Sequence, residues 1–325
     1  MKAVISLGNA LVDIITQLES DQELAKLNLP KGSMQLVDKD VSANIQEVTS
    51  HLNSKMQTGG SAANTANGIA NLGVKSGYIG MVGKDSLGDF YSQDMIENSI
   101  QPRFFISDTT PTGRAVAFIS KDGERTFATY LGAAVEMQDK YLTKELFEGY
   151  HYFHIEGYLI LNQALVRKAI ELAKSQGLKV SIDFASYNVV EENIDFLKEI
   201  CNDVDIVFAN EEEAKAFTSQ EAEDALHTIA EFCEIAVVKI GKKGSLIKHQ
   251  DQVTYIQEVP RTCLDTTGAG DMYAAGFLAG LCLGRELRHC GKMGSVLAGN
   301  VIEVYGAKMD KERWEKIRQE IREIN

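Results

Sequence analysis

The feature that most constrains the fold is a regular alternation of short apolar segments with longer amphipathic ones. The apolar segments are typical of strands covered on both faces, and they lie at Ala3–Leu7, Tyr78–Val82, Tyr152–Ile155, Val180–Phe184, Ile206–Ala209 and Ile235–Ile240. Helical segments are predicted between them, at Ser61–Leu72, Leu87–Asn98, Ala164–Ser175, Asn193–Cys201 and Glu221–Phe232. This order predicts an α/β sandwich of three layers, in which helices cover both faces of a mostly parallel central sheet.

Several strand-like segments do not fit that alternation. They are Val12–Glu19, Ser33–Val37, Arg103–Ile106, Arg114–Ser120 and Thr126–Leu131, and an Asp-Gly pair between the last two predicts a hairpin turn. We expect them to form a small β-sheet lid over a cleft; the alternative is that they extend the main sheet. The predicted organisation is one domain over residues 1–325, with a core of about 1–11, 42–102 and 132–325 and a lid of about 12–41 and 103–131.

The charge balance and the cysteines exclude several classes of protein. The chain has 33 Lys and Arg against 46 Asp and Glu, a net charge of -13, so neither a nucleic acid nor a membrane surface is an expected partner. Five widely spaced cysteines without a C-x-x-C pair predict neither a disulfide framework nor a zinc site. The chain opens directly on an apolar strand, so no signal peptide is expected, and the predicted location is cytoplasmic.

The strongest chemical motif is Asp-Thr-Thr-Gly-Ala-Gly-Asp at Asp265–Asp271, followed by an amphipathic run. Thr266 or Thr267 is expected to cap the following helix, and the small residues between leave its first amides open to an anion such as a transferring phosphoryl group. Asp271 is then placed to accept the proton of a substrate hydroxyl. The alternative is an ordinary acidic helix start after a glycine-rich loop.

A second glycine cluster, at Thr58–Gly68, also precedes a helix. Gly59 and Gly60 allow a ligand to approach the backbone, and Asn64 offers a donor and an acceptor for hydroxyl groups. The alternative is a tight loop whose asparagine is merely solvated.

Two further patterns follow predicted core strands. Asn210 and Glu213 would place an amide and a carboxylate where Mg²⁺ can be held through water beside nucleotide phosphates, or they form only a capped acidic helix start. Gly241 and Gly244 form a glycine turn that phosphates can approach. The chain contains neither a G-x-x-x-x-G-K-[ST] phosphate loop nor a G-x-G-x-x-G dinucleotide motif.

Taken in order along the chain, these motifs resemble those of the ribokinase (PfkB) family of ATP-dependent sugar and nucleoside kinases. The resemblance rests on GNALVD, GGSAAN, GMVGKDSLG, NEEE and above all DTTGAGD, and it covers Gly8 to about Gly306. Within the family, KGSMQLVD, TGRAVAFISKDGERTF and YLGAA are similar to bacterial members labelled adenosine kinases. The resemblance implies a ribokinase-like fold and transfer of the γ-phosphoryl group of ATP to a hydroxymethyl group.

The resemblance also implies a role for particular residues. The catalytic set it implies is the base Asp271 with the anion hole Gly268, Ala269 and Gly270; the substrate-binding set is Asp13, Gly59, Gly60, Asn64 and the lid arginine Arg125; the ATP-binding set is Asn210, Lys239, Gly241, Gly244 and Thr266. Lys239 stands where many members have Thr or Ser. Glu213 is implied in Mg²⁺ binding through water, and Asp265 lies near the position where many members bind a monovalent cation such as K⁺.

The acceptor is expected to be adenosine, with a free sugar or sugar acid as the alternative. Ser61 replaces the lysine that ribokinases often carry, and Phe104, Phe105, Phe118 or Phe127 would stack on a purine unless they only fill the lid. A catalytically dead sugar-binding regulator is a further alternative, against which the intact DTTGAGD motif argues. Whether the lid pairs with a second copy in a homodimer or stands alone is open.

Overall fold

The structure is a computed structural model, and it describes residues 2–122 and 124–324. The strands in this part of the chain are β1 Ala3–Leu7, β2 Leu11–Gln17, β3 Met34–Leu36, β4 Ser54–Gly59, β5 Lys75–Gly83, β6 Ile100–Ser107, β7 Gly113–Ile119, β8 Arg125–Tyr130, β9 Tyr152–Glu156, β10 Lys179–Asp183, β11 Ile206–Asn210, β12 Ile235–Lys239, β13 Ser245–His249 and β14 Gln252–Ile256. The α-helices are α1 Gln22–Lys26, α2 Lys39–Val48, α3 Ser61–Asn71, α4 Ser86–Glu97, α5 Gln163–Ser175, α6 Tyr187–Glu192, α7 Ile194–Cys201, α8 Glu211–Thr218, α9 Ala222–Ile229, α10 Ala269–Cys282, α11 Leu287–Val301 and α12 Lys311–Arg322.

The larger sheet has the strand order β14-β13-β12-β11-β10-β9-β1-β5-β6. Its strands from β12 to β6 pair in parallel, and β13 and β14 add an antiparallel edge. The predicted core strands and helices are all present, with ends that differ by a few residues. The prediction of a mostly parallel central sheet is confirmed.

Helices cover both faces of this sheet, which explains why its strands are apolar throughout. In β11, Val207 and Ala209 lie in the hydrophobic cluster that includes α5 and α7. Ile206 and Phe208 of the same strand lie in the cluster that includes α10 and α11. Because alternate side chains enter two different cores, the predicted three-layer sandwich is confirmed.

A second, smaller sheet has the strand order β3-β8-β7-β2-β4. The predicted hairpin is present, since β7 and β8 pair antiparallel from Arg114↔Tyr130 to Ile119↔Arg125; Gly123 of its turn lies outside the described residues. One face of this sheet packs Val116 and Phe118 against α1 and α2. The other face, which carries Asp13, belongs to the candidate site below.

The predicted boundaries of the small sheet were wrong at two places. The segment Arg103–Ile106 belongs to β6, which pairs with β5 at the edge of the larger sheet. Phe104 and Phe105 pack into hydrophobic clusters on opposite faces of that sheet, so this segment extends the main sheet, which was the alternative.

The second correction concerns the predicted core segment that begins at residue 42: α2 packs on the small sheet, and β4, at Ser54–Gly59, is one of its strands. This strand pairs antiparallel with β2 and so belongs to the small sheet. The first half of β4 is exposed and lacks apolar alternation, so the pattern held no strand signal. Among the described residues, no helix combines the length and apolar character needed to cross a membrane.

Candidate active site

The candidate site lies where neighbouring strands of the larger sheet end, beside the start of α10. In open α/β sheets this carboxyl-terminal edge is where ligands bind. Asp183, Asn210 and Lys239 are the last residues of β10, β11 and β12, which are adjacent in the sheet. Their side chains therefore reach one corner from three strands.

The glycine-rich loop before α10 leaves the first amides of that helix open. Gly268 precedes the helix at φ 77, a conformation that favours glycine, and no side chain caps the helix. The expected cap by Thr266 or Thr267 is therefore wrong: Thr266 is exposed, and the Thr267 hydroxyl donates instead to Asp265 over 2.8 Å. Uncapped amides at a helix start are what an anion-binding site requires.

Asp271 lies in the first turn of α10 and is held by α3. Its carboxylate accepts hydrogen bonds from the Ser61 hydroxyl, at 2.7 Å, and from the Asn64 amide nitrogen, at 2.8 Å. Burial raises the pKa of Asp271 to about 6, although both hydrogen bonds act in the opposite direction. A carboxylate with this pKa is mostly ionised at neutral pH and still basic enough to take a proton.

Asn64 serves the site in two ways. Its amide nitrogen holds Asp271, whereas its Oδ1 is buried without a hydrogen-bond partner. An unpartnered buried acceptor is costly, so it is suited to receive a hydroxyl of a bound substrate.

The turn from β4 into α3 brings the small sheet into the site. A Cβ added at Gly59 would collide with the Asp13 carboxylate, and one added at Gly60, which has φ 94, would collide with the Asn9 carbonyl. Burial raises the pKa of Asp13 to about 7, partly offset by the charge of Lys308 and a hydrogen bond from Gln57. Gly59 thus leaves room for the Asp13 carboxylate and Gly60 for the Asn9 carbonyl, whereas the approach of a ligand to these glycines stays a prediction.

Glu156, which sequence reasoning missed, lies beneath this turn. It is the last residue of β9 and accepts hydrogen bonds from the Asn9 amide, at 2.7 Å, and from the Ala62 backbone, at 3.1 Å. Burial raises its pKa to about 7. The available signal was a carboxylate at the carboxyl end of an apolar core strand.

Asp183, also missed, forms an ion pair with Lys239. The Lys239 Nζ donates to Asp183 Oδ2 over 2.7 Å, with side-chain exposures of 14% and 9%. The same Nζ lies 3.0 Å from where a Cβ would stand at Gly270. The ammonium group is therefore beside the first turn of α10, close to the anion-hole residues.

Asn210 and Glu213 form a complete capping box at the start of α8. The Glu213 carboxylate accepts from the Asn210 backbone and side-chain nitrogens, at 2.8 and 2.7 Å, and the Asn210 Oδ1 accepts from the Glu213 backbone. Burial raises the pKa of Glu213 to about 7, with the charge of Lys239 acting against it. The capping hydrogen bonds leave lone pairs free on the Glu213 carboxylate oxygens. The same carboxylate can therefore cap the helix and bind a metal ion through water.

Arg125 reaches from the small sheet to the loop before α10. It forms an ion pair with Asp265 at 2.6 Å, donates to Thr267 at 3.1 Å and lies over the Tyr305 ring at 5.3 Å from its centroid. Asp265 also accepts from the backbone nitrogens of Thr267 and Gly306. A carboxylate with this set of donors does not fit K⁺ bound to its oxygens, contrary to the expectation for Asp265.

The glycine turn follows β12 directly, two residues after Lys239. Gly244 approaches the Ile256 carbonyl so closely that a Cβ would collide with it, so packing alone accounts for that glycine. Gly241 is exposed and has no neighbour within 4 Å of an added Cβ. Its backbone is open to solvent, and a role for Gly241 in ATP binding stays a prediction.

Comparison with known proteins identifies the family of this chain. The profile of the pfkB family carbohydrate kinases matches residues 33–313, so the chain belongs to that family. It is a phosphotransferase that acts on a nucleoside or sugar.

The similar proteins include both sugar kinases and adenosine kinases. The structure of a probable sugar kinase from Rhizobium etli shares 33% identity and superposes with a TM-score of 0.87, covering 98% of each chain. An adenosine kinase from Sinorhizobium meliloti shares 33% identity with a TM-score of 0.86, covering 98% of this chain and 99% of that one. A 5-dehydro-2-deoxygluconokinase from Listeria monocytogenes is 30% identical over 269 residues, covering 77% of this chain and 82% of the relative.

Proposed function

We propose that this kinase transfers the γ-phosphoryl group of ATP to the hydroxymethyl group of adenosine. The observation that carries the choice of acceptor is the position of Phe127 on the same face of the small sheet as Asp13. Asp13 pairs with Ala115, and Ala115 pairs with Thr129, so these three side chains form one row across the sheet. Phe127 is two residues from Thr129 in β8 and therefore faces the same side.

The spacing of the two residues suits a nucleoside. Phe127 lies two strands across the sheet from Asp13 and two residues along the strand, which corresponds to ~12 Å between their backbones. Asp13 would take the ribose hydroxyls while the Phe127 ring stacks on the base. Stacking of a base on an aromatic side chain contributes ~1–3 kcal/mol, and a free sugar offers no such surface.

The other three phenylalanines considered for this role are committed elsewhere. Phe104 packs against Tyr91, with ring centroids 5.5 Å apart, and Phe105 packs against Tyr141 at 5.1 Å. Phe118 is fully buried on the opposite face of the small sheet. Phe127 is thus the member of this set that lies on the same face of the small sheet as Asp13.

The reaction needs few groups from the protein. Asp271 would take the proton of the acceptor hydroxyl, and the amides from Gly268 to Gly270 would hold the charge that develops on the transferred group. Mg²⁺, when bound with ATP, would neutralise phosphate charge; Glu213 would hold it through water, since the ion is bound mainly by phosphate oxygens and one or two carboxylates.

A panel of acceptors tests the proposal. Purified protein with Mg²⁺ and ATP is given adenosine, ribose, fructose or 2-keto-3-deoxygluconate at equal sub-saturating concentrations, and ADP release is measured. We expect adenosine to give the highest kcat/KM. Greater turnover on a free sugar would contradict the choice of adenosine and leave the kinase assignment intact.

A variant of the stacking residue makes the test specific to the base. Phe127→Ala should raise the KM for adenosine ~5–100-fold with kcat little changed, because stacking binds ground state and transition state alike. Phe127→Tyr keeps the aromatic face and is the control that should retain the wild-type KM. Equal KM values in all three proteins would show that Phe127 only fills the small sheet.

A free sugar or sugar acid is the second candidate. The specific observation in its favour is that Asp13, Asn64 and the Gly59-Gly60 turn address hydroxyl groups, which a free sugar carries as well. The 30% identity to a 5-dehydro-2-deoxygluconokinase supports the same reading.

A further inference from the structure

We propose that Lys239 contacts the phosphoryl group in transit and that Asp183 is the positioning residue that aims it there. This inference rests on the proposed phosphoryl transfer and assigns a cation to it. The Lys239 ammonium lies at the start of α10, 3.0 Å from the Cβ position of Gly270. The transferred group must pass this point if the α10 amides hold its charge.

The hydrogen bonds of Lys239 leave it able to bind an anion. An ammonium group has three N–H donors, and one of them is used by Asp183 at 2.7 Å. Asp183 is itself fixed, because its other oxygen accepts from the Ala185 backbone over 3.0 Å. The lysine stem is thus held in one direction while donors remain for a phosphate oxygen.

The charges in this corner create a need for such a cation. Asp183, Glu213 and Asp271 are close enough to Lys239 to raise its pKa, against the effect of burial, which lowers it. Lys239 is therefore fully protonated at neutral pH. A phosphoryl group arriving among three carboxylates would be repelled, and a fixed ammonium beside the anion hole offsets that repulsion where it is largest.

The alternative is that Lys239 only neutralises buried Asp183. An ion pair of this kind is needed for folding if removal of one partner strands a buried charge. The two explanations differ when both partners lose their charge together, because that change removes the stranded carboxylate but does not restore a cation.

The experiment compares Lys239→Met, Asp183→Asn and the double variant. We expect Lys239→Met to lower kcat ~10²–10³-fold with the KM for ATP nearly unchanged, and Asp183→Asn to lower kcat by less, since the lysine stays charged but loses its orientation. The double variant should fold as stably as the wild type and stay as slow as Lys239→Met. Recovery of turnover in the double variant would overturn the inference.

A matched control lies at the opposite edge of the sheet. Lys174 pairs with Asp205, which is 8% exposed, over 3.0 Å. Lys179 also pairs with Asp205, over 2.8 Å, so Asp205 keeps a cation in Lys174→Met. This variant controls for the loss of one lysine charge away from the site, and it should leave kcat unchanged.

A second readout does not depend on the acceptor. Binding of Mg²⁺ and ADP is measured with and without aluminium fluoride, which mimics the phosphoryl group in transit. We expect aluminium fluoride to tighten ADP binding in the wild type and in Lys174→Met, but not in Lys239→Met. The same tightening in Lys239→Met would overturn the inference, whereas failure of the proposed function would appear as no turnover on any acceptor.

Discussion

The two sides of the proposed active site are built in different ways. The transfer corner, formed by Asp183, Glu213, Lys239 and Asp271, lies on strand ends and helix starts of the larger sheet. The acceptor face, formed by Asp13, Phe127 and Arg125, lies on the small sheet and is completed by the Gly59-Gly60 turn. The corner is fixed by the Lys239–Asp183 ion pair and by hydrogen bonds from neutral groups to Asp271 and Glu213. The face reaches the loop before α10 through the ion pair of Arg125 with Asp265.

This difference assigns phosphoryl transfer to one region, the transfer corner, and the choice of acceptor to the other, the acceptor face. Positioned charges at the edge of a rigid sheet suit a reaction that is common to many acceptors. A face carried on a separate sheet can change its side chains without disturbing that edge, as expected when function varies on a common fold. Changes in the corner should therefore alter kcat, and changes in the face should alter which acceptor is used and how well it binds.

The largest effect is expected from Asp271→Asn in the transfer corner. Loss of a general base lowers kcat ~10²–10⁴-fold, and the Ser61 and Asn64 contacts that hold the side chain can largely persist. Calorimetry should therefore find acceptor binding within a few-fold of the wild type. Loss of binding together with turnover would instead place Asp271 among the acceptor-binding groups.

The pH profile gives a second measure of the same base. Asp271 with a pKa of about 6 is ionised above that pH and protonated below it. The wild-type kcat should thus fall as the pH drops through about 6. The residual rate of Asp271→Asn should lack that fall, while any change near pH 7 from Asp13, Glu156 or Glu213 should remain in both proteins. An unchanged profile in the variant would contradict the assignment.

Most residues of the transfer corner could be predicted from the sequence, but Asp183 and the neighbouring Glu156 could not. The helix start at Asp265–Asp271 was recognisable because small residues, a carboxylate and an amphipathic run lie together in the chain. Asp183 and Glu156 were missed because each is one polar residue at the end of an apolar strand. Their importance depends on strands and loops far away in the sequence, which no local pattern describes.

The acceptor face was less predictable, for the same physical reason. Asp13 and Arg125 were identified through the family resemblance, but the pairing of β4 with β2 could not be recognised in its exposed, polar sequence. Which phenylalanine lies on the same face as Asp13 depends on strand register, which a shift of one residue would reverse. Strand pairing had to be seen before Phe127 could be distinguished from Phe118.

A second prediction concerns the contact between the two regions. Arg125 holds Asp265, whose side chain is 5% exposed, so Arg125→Ala leaves a buried carboxylate without its cation. We expect turnover to fall ~10–100-fold, because the loop before α10 is no longer held in place. Because the Arg125 guanidinium already supplies a cation to Asp265, the wild-type turnover should be the same in K⁺ and in Na⁺. Arg125→Ala removes that cation, so its turnover should be higher in K⁺ than in Na⁺ if K⁺ binds in the vacated position.

Arg125→Lys is the matched control, since it keeps a charge on the small sheet but lacks the planar donors that reach both Asp265 and Thr267. Its turnover should lie between those of the wild type and Arg125→Ala. Strong activation of the wild type by K⁺ would show that the arginine does not take the place of a monovalent cation.

The smallest effect is expected from Glu213→Gln, which tests whether the capping box also serves the metal. The amide of Gln would face the Asn210 side-chain nitrogen, so one hydrogen bond of the box is lost and the free energy of unfolding should fall by ~1 kcal/mol. If Glu213 also holds Mg²⁺ through water, the Mg²⁺ concentration for half-maximal rate should rise several-fold. Glu212→Gln, an exposed neighbour in the same turn, controls for the loss of one negative charge and should change neither quantity. A lower stability with an unchanged Mg²⁺ titration would assign Glu213 to helix capping alone, and the transfer corner would then bind its metal entirely through phosphate, water and other groups.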